Sequence, residues 1–146
     1  MIIVIDANIL FSALITPDSK IVEIVAYPNA TYRIISCNFS IVELFKHQQK
    51  ITKYSKREMS ELLNFLETLL RNIEFYNEAL IEDTFLTEAK RLTQGIDLYD
   101  ANYVALTLKT DGVLWTGDKK LTNHLTFLNF KKVIDTSSLY ALLNIG

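Results

Sequence analysis

Two hydrophobic periods alternate along this chain. Ile2, Ile3, Val4 and Ile5 form an unbroken run, the pattern of a strand buried on both faces at the centre of a parallel sheet. The run meets Asp6, and the apolar spacing then becomes helical at Ile9, Leu10, Ala13 and Leu14. After a turn over residues 16–19, a second helical face runs over 21–26 until Pro28-Asn29 breaks it. Residues 32–36 read as the second strand. Residues 38–45 read as a helix with Glu43 in its first or second turn. A longer helix is expected over 55–71, with apolar residues covering more than one stripe. Residues 73–76 form the third strand, and a helix over 78–93 is stopped by Gly95. Asp97-Leu98-Tyr99-Asp100 opens a helix that Gly112 ends. A fourth strand covers 113–116, a short helix starts over 119–124, a last strand covers 131–135 and a closing helix 137–143. This order predicts right-handed βαβ units in a three-layer α/β/α sandwich, with a central parallel sheet of about five strands. A length of 146 residues predicts one domain over 1–146.

Composition narrows the picture. The chain is 49% hydrophobic and 22% charged, enough for a sizeable core. A net charge of −2 argues against a wholly basic nucleic-acid coat, but it allows an acidic site inside a locally basic surface. Such a surface exists over 46–57, where Lys46, Lys50, Lys53, Lys56 and Arg57 occur with His47 and Tyr54 and without an acid. Cys37 is the single cysteine, so no intrachain disulfide forms. With no signal peptide pattern and no apolar run of membrane-spanning length, a cytoplasmic location is expected.

The chemistry concentrates in carboxylates. Asp6 and Asp118 follow strands, while Glu43 and Asp100 lie in the first turns of helices. In open α/β sheets, sites form outside the carboxyl ends of the strands. Carboxylates gathered there without a cation repel one another, and a hard divalent ion such as Mg²⁺ or Mn²⁺ compensates them. His47, His124 and Cys37 do not have the spacing of a zinc site. Each acid also has a purely structural account. Asp6 and Asp118 fit helix caps, Ser40-x-x-Glu43 fits a capping box, and Asp97-x-x-Asp100 fits a cap followed by a first-turn acid.

The segments VIDANIL, SIVEL, DANYVALTL and LWTGDKKL, in this order and spacing, resemble the four signature segments of the PIN domain. That family includes the VapC-type ribonuclease toxins of toxin–antitoxin pairs. The resemblance implies a PIN-like fold and cleavage of RNA phosphodiesters dependent on Mg²⁺ or Mn²⁺. It implies an antitoxin partner and assigns Asp6, Glu43, Asp100 and Asp118 as the metal-binding and catalytic acids. Asn8 matches the small polar position after the first acid, and Thr116 the hydroxyl residue before the last. Many relatives carry a further acid where this chain has Lys120. Asp97 is a substitute for it, although a capping role ranks first. Phosphate would be gripped by Lys46, Lys50 and Lys53, and secondarily by Lys119 and Lys120. Tyr54 or Tyr99 is a candidate for stacking a base. The surplus apolar surface on the 55–71 helix predicts a homodimer. The alternative function is a non-catalytic PIN-like module acting through protein contacts, which Lys120 favours. A phospho-accepting receiver domain fits less well, because the first strand ends in one acid rather than a pair.

Overall fold

The computed structural model describes residues 1–16, 19–27 and 30–143. Among them, five parallel strands form one sheet in the order β3-β2-β1-β4-β5. The strands are β1 (Ile2–Ile5), β2 (Arg33–Cys37), β3 (Ile73–Tyr76), β4 (Val113–Trp115) and β5 (Val133–Ile134). Two helices, α1 (Ala7–Ile15) and α2 (Lys20–Ala26), link β1 to β2. Three more, α3 (Phe39–Lys46), α4 (Gln48–Ser55) and α5 (Met59–Arg71), link β2 to β3. The chain then returns through α6 (Asp83–Leu92) and α7 (Asp100–Thr110) to β4. It ends through α8 (Lys119–Phe127), β5 and α9 (Thr136–Leu142).

The pleat of β1 divides the core. Ile3 and Ile5 face one layer, where they pack with residues of α1, α2 and α5, with Leu44 and Ile51, and with Leu139. Val4 faces the other layer, formed by residues of α6, α7 and α8. The predicted three-layer sandwich is therefore the observed one. Its strand order reverses at β1, whose two neighbours are β2 and β4. Crossovers leave β1 on one face of the sheet and enter β4 from the other. This opens a crevice at the carboxyl ends of β1 and β4, the usual place for a site in such a sheet.

Several local expectations need correction. The helix predicted over 55–71 is α5 and starts four residues later, at Met59, while the basic segment before it is largely a separate helix, α4, rather than a helix end. Lys56 adopts a left-handed φ of 56° at the C-cap of α4, and the Arg57 N–H donates to Ser55 Oγ at 3.4 Å. That conformation cannot continue a helix, so α5 starts afresh at Met59. The helix predicted over 78–93 is split. Asn77 Oδ1 caps a single 3-10 turn at Glu78–Leu80, Ile81 is extended, and α6 follows. Asp111, with φ 54°, ends α7 in place of Gly112. Gly112 serves a different need: a Cβ there would stand 2.8 Å from the carbonyl oxygen of Ile2 in the neighbouring strand. The strands at 32–36, 113–116 and 131–135 are shifted or shorter at their ends by one or two residues, and the closing helix starts one residue earlier. The turn expected over 16–19 falls partly, and the Pro28-Asn29 break wholly, outside the described residues. Among the described residues, no helix is long and apolar enough to cross a membrane.

Candidate functional site

Asp6 leaves β1 at the crevice and becomes the N-cap of α1. Its Oδ1 accepts the Asn8 N–H at 3.3 Å, which satisfies one of the free amides of the first turn. Its Oδ2 accepts the hydroxyl of Thr116 at 2.8 Å, across a separation of 110 residues in the chain. Thr116 is fully buried at the end of β4, and its Oγ1 also accepts the backbone N–H of Asp118 at 3.1 Å. One hydroxyl thus ties Asp6 to the loop carrying Asp118. Asp118 caps α8 in turn, its Oδ1 accepting the Leu121 N–H at 3.1 Å. Below them, Ser36 donates to the carbonyl of Ile5 at 2.7 Å, which locks β2 against the last residue before Asp6.

Glu43 comes from the second turn of α3. The expected capping box does not form. Ser40 instead donates to the Cys37 carbonyl at 2.7 Å, and Glu43 Oε1 accepts the hydroxyl of Tyr103 at 3.1 Å. Asp100 is the first residue of α7. Asp97 is not the cap of that helix: its Oδ1 accepts the Tyr99 N–H at 3.0 Å, a local turn that leads into it.

Electrostatics show which of these groups share one field. Burial pushes the Asp6 carboxyl up, and neighbouring Asp118 adds to the rise against the hydrogen bonds from Thr116 and Asn8. Glu43 is raised by burial and by Asp6 and Asp97, and Tyr103 and Lys46 pull the other way. Asp100 is raised to about 7 by burial and then by Asp6, Asp118, Asp97 and Glu43. Asp6, Asp118, Asp97 and Glu43 therefore stand close enough to Asp100 to disfavour its charge. Asp100 Oδ2 is buried and has no hydrogen-bond partner. A buried carboxylate oxygen without a donor is costly unless a proton or a cation meets it.

The structure thus brings Asp6, Glu43, Asp97, Asp100, Asp118 and Thr116 together. The Asn8 backbone reaches Asp6, and Asn8 also lines a cleft of about 170 Å³ with Phe11, Glu43, His47 and Lys50. Lys46 stands beside Glu43, whereas Lys53 lies further along α4 next to Tyr54. Lys119 and Lys120 are exposed in the first turn of α8. Tyr103 was absent from the residues singled out in the sequence. Its one signal was a spacing of three residues from Asp100, which puts both on neighbouring positions of one helix face.

The donor set suits a hard divalent cation: carboxylate oxygens, one of them orphaned, with no thiolate or imidazole among them. No three His, Cys, Asp or Glu side chains among the described residues are already arranged around a metal position. Mg²⁺ is commonly bound through one or two carboxylates with several waters retained, so such a set need not be prearranged.

A sequence model described as PIN domain matches residues 4–132. No relative among the curated proteins matches the chain. Among solved structures, VapBC2 from Rickettsia felis, bound to a DNA fragment from its promoter, is similar with a TM-score of 0.66 and 15% identity. That match covers 92% of this chain and 98% of the other. VapBC-1 from nontypeable Haemophilus influenzae gives a TM-score of 0.62 at 18% identity, over 94% of this chain and 99% of that one. PAE2754 from Pyrobaculum aerophilum gives 0.65 at 20% identity, over 97% and 94%. At these identities the likeness is one of fold.

Proposed function

Since the chain belongs to the PIN domain family, we propose that it is a divalent-metal-dependent endoribonuclease, the toxin of a toxin–antitoxin pair. The observation that carries this reading is the orphaned, buried Oδ2 of Asp100 in the midst of four other acids. Asp6, Asp100 and Asp118, with Glu43 through water, would hold Mg²⁺ or Mn²⁺. When bound, the ion supplies a Lewis acid that neutralises phosphate charge and makes a nearby water more acidic.

The remaining roles fall to the chain. Thr116 orients Asp6 and fixes the Asp118 loop, so neither carboxylate is free to swing away. Tyr103 holds Glu43 toward the crevice, and the raised affinity of Glu43 for a proton suits it to accept one from water. The acids repel RNA, so phosphates need basic groups at the rim. Lys46 acts electrostatically on Glu43 and Lys50 lines a cleft with it, and Lys53, Lys119 and Lys120 are further candidates. An antitoxin partner is supported by the two solved VapBC assemblies that share the fold. A non-catalytic module acting through protein contacts is the second reading, favoured by Lys120 at a position where the resemblance leads one to expect an acid.

Asp6→Asn separates these readings. Asn caps a helix about as well as Asp, so the substitution removes the charge and keeps the cap while giving up the acceptor for the Thr116 hydroxyl. The variant should melt higher than wild type in chelator near neutral pH, shift less with Mn²⁺, and cut no single-stranded RNA. Wild-type protein that cuts no RNA with Mg²⁺ or Mn²⁺, or a variant that shifts with metal as much as wild type, would overturn the proposal.

A further inference from the structure

We propose that Phe39 and Tyr99 form a stacking platform for one unpaired base of single-stranded RNA, setting the register of the strand against the acidic crevice. This rests on the ribonuclease reading of the acidic site.

The two rings are parallel within 14°, with centroids 4.4 Å apart. They come from separate segments of the chain, and Phe39 packs against the layer that contains α7. Phe39 opens α3, the helix of Glu43, and Tyr99 directly precedes Asp100. Phe39 stacks on one face of Tyr99, and Tyr99 remains 47% exposed. Tyr27, Tyr54 and Phe127 are more exposed, but among the described residues Tyr99 combines exposure with a stacked ring and a place next to Asp100.

Lys46 Nζ lies 5.2 Å from the Phe39 centroid and 5.4 Å from that of Tyr99. Nearly equal distances to two centroids place the ammonium beside the pair, between the rings, and not on the outer face of Tyr99. The platform thus offers an exposed ring with a cation at its rim, the two elements that hold a base and its phosphate in single-strand binding. Tyr54 differs. It lies on α4 with Lys53 Nζ 5.5 Å from its ring, and no aromatic ring backs it among the described residues. Stacking accepts any base, so the platform governs where along the strand the cut falls and not which base is read.

The test is cleavage of labelled twelve-nucleotide RNAs in Mn²⁺, with an abasic residue walked through the sequence. With wild-type protein, one abasic position at a constant distance from the cut should raise KM about tenfold, the lower range for removing one stacked base. Tyr99→Leu should raise KM by a similar factor on intact RNA and no longer respond to that position. Tyr99→Phe should behave as wild type. If Tyr99→Leu does not fold, the abasic series on wild type and Tyr99→Phe decides alone. RNA cut equally well with the abasic residue anywhere, or Tyr99→Leu retaining the positional response, overturns the platform and leaves the ribonuclease reading standing. No cleavage by wild type removes both.

Discussion

Burial and four neighbouring acids disfavour the charge of Asp100, and this fixes a sign for the pH response of the metal-free protein. Its carboxyl is raised from an ordinary 3.8 to about 7 in the folded chain. A raised value means that the folded state binds the proton more tightly than the unfolded one. The stabilising contribution is complete below about 4 and is lost as pH rises toward about 7. Asp100→Asn cannot titrate there. The melting temperature of wild type minus that of Asp100→Asn should therefore fall across this window in chelator, and Mn²⁺ should abolish the fall by binding the folded state. Parallel melting curves against pH for the two proteins would contradict the assigned environment. At the same scale, a capping bond is compatible with a place in the acidic cluster. Asp6 and Asp118 each cap a helix with one oxygen and still face the shared acidic field. Cap geometry alone therefore does not argue against a functional carboxylate.

At the scale of elements, α4 matters most for the nucleic-acid reading. As a helix with its own left-handed stop at Lys56, it presents Lys50 on the cleft beside Glu43 and Lys53 near Tyr54. A helix holds these charges at set distances, unlike a frayed end. Reversing Lys50 and Lys53 to Glu should weaken RNA binding and flatten its dependence on salt, by about one unit of slope for each phosphate no longer neutralised. Metal binding should be unaffected. A slope equal to wild type would move the RNA path off α4. The unpredicted α4 also changes the meaning of the apolar surplus on α5, because α3, α4 and α5 enclose a groove of about 270 Å³.

At the scale of the molecule, that groove is an apolar cleft on the surface of the described residues. Ile41, Phe45, Met59 and Leu63 line it and remain exposed. Clustered apolar exposure of this kind marks protein contact surfaces more often than free surface. We expect the chain alone to form a homodimer through this face, and Leu63→Glu to dissociate it. Light scattering at high micromolar concentration checks both, and a monomeric wild type would refute the dimer.

Much of this was legible in the sequence because it is local. The run Ile2–Ile5 could be little other than a central strand, and an acid directly after a strand must emerge at the sheet's carboxyl edge whatever its neighbours. The segments around Asp6, Glu43, Asp100 and Asp118 carried a family resemblance for the same reason: each is short and contiguous. Helix ends were less legible, since Lys56 and Asp111 stop helices through backbone conformations that their side chains do not announce. What only the tertiary structure decided was contact between distant segments. The Thr116 bond to Asp6 exists because β1 and β4 are neighbours, and the Tyr103 bond to Glu43 because α7 packs beneath the crevice opposite α3. The stack of Phe39 on Tyr99 has the same origin. Periodicity reports how each segment partitions between core and water. Which segments then lie side by side depends on the order of the strands, a property of the whole sheet that no single stretch of sequence contains.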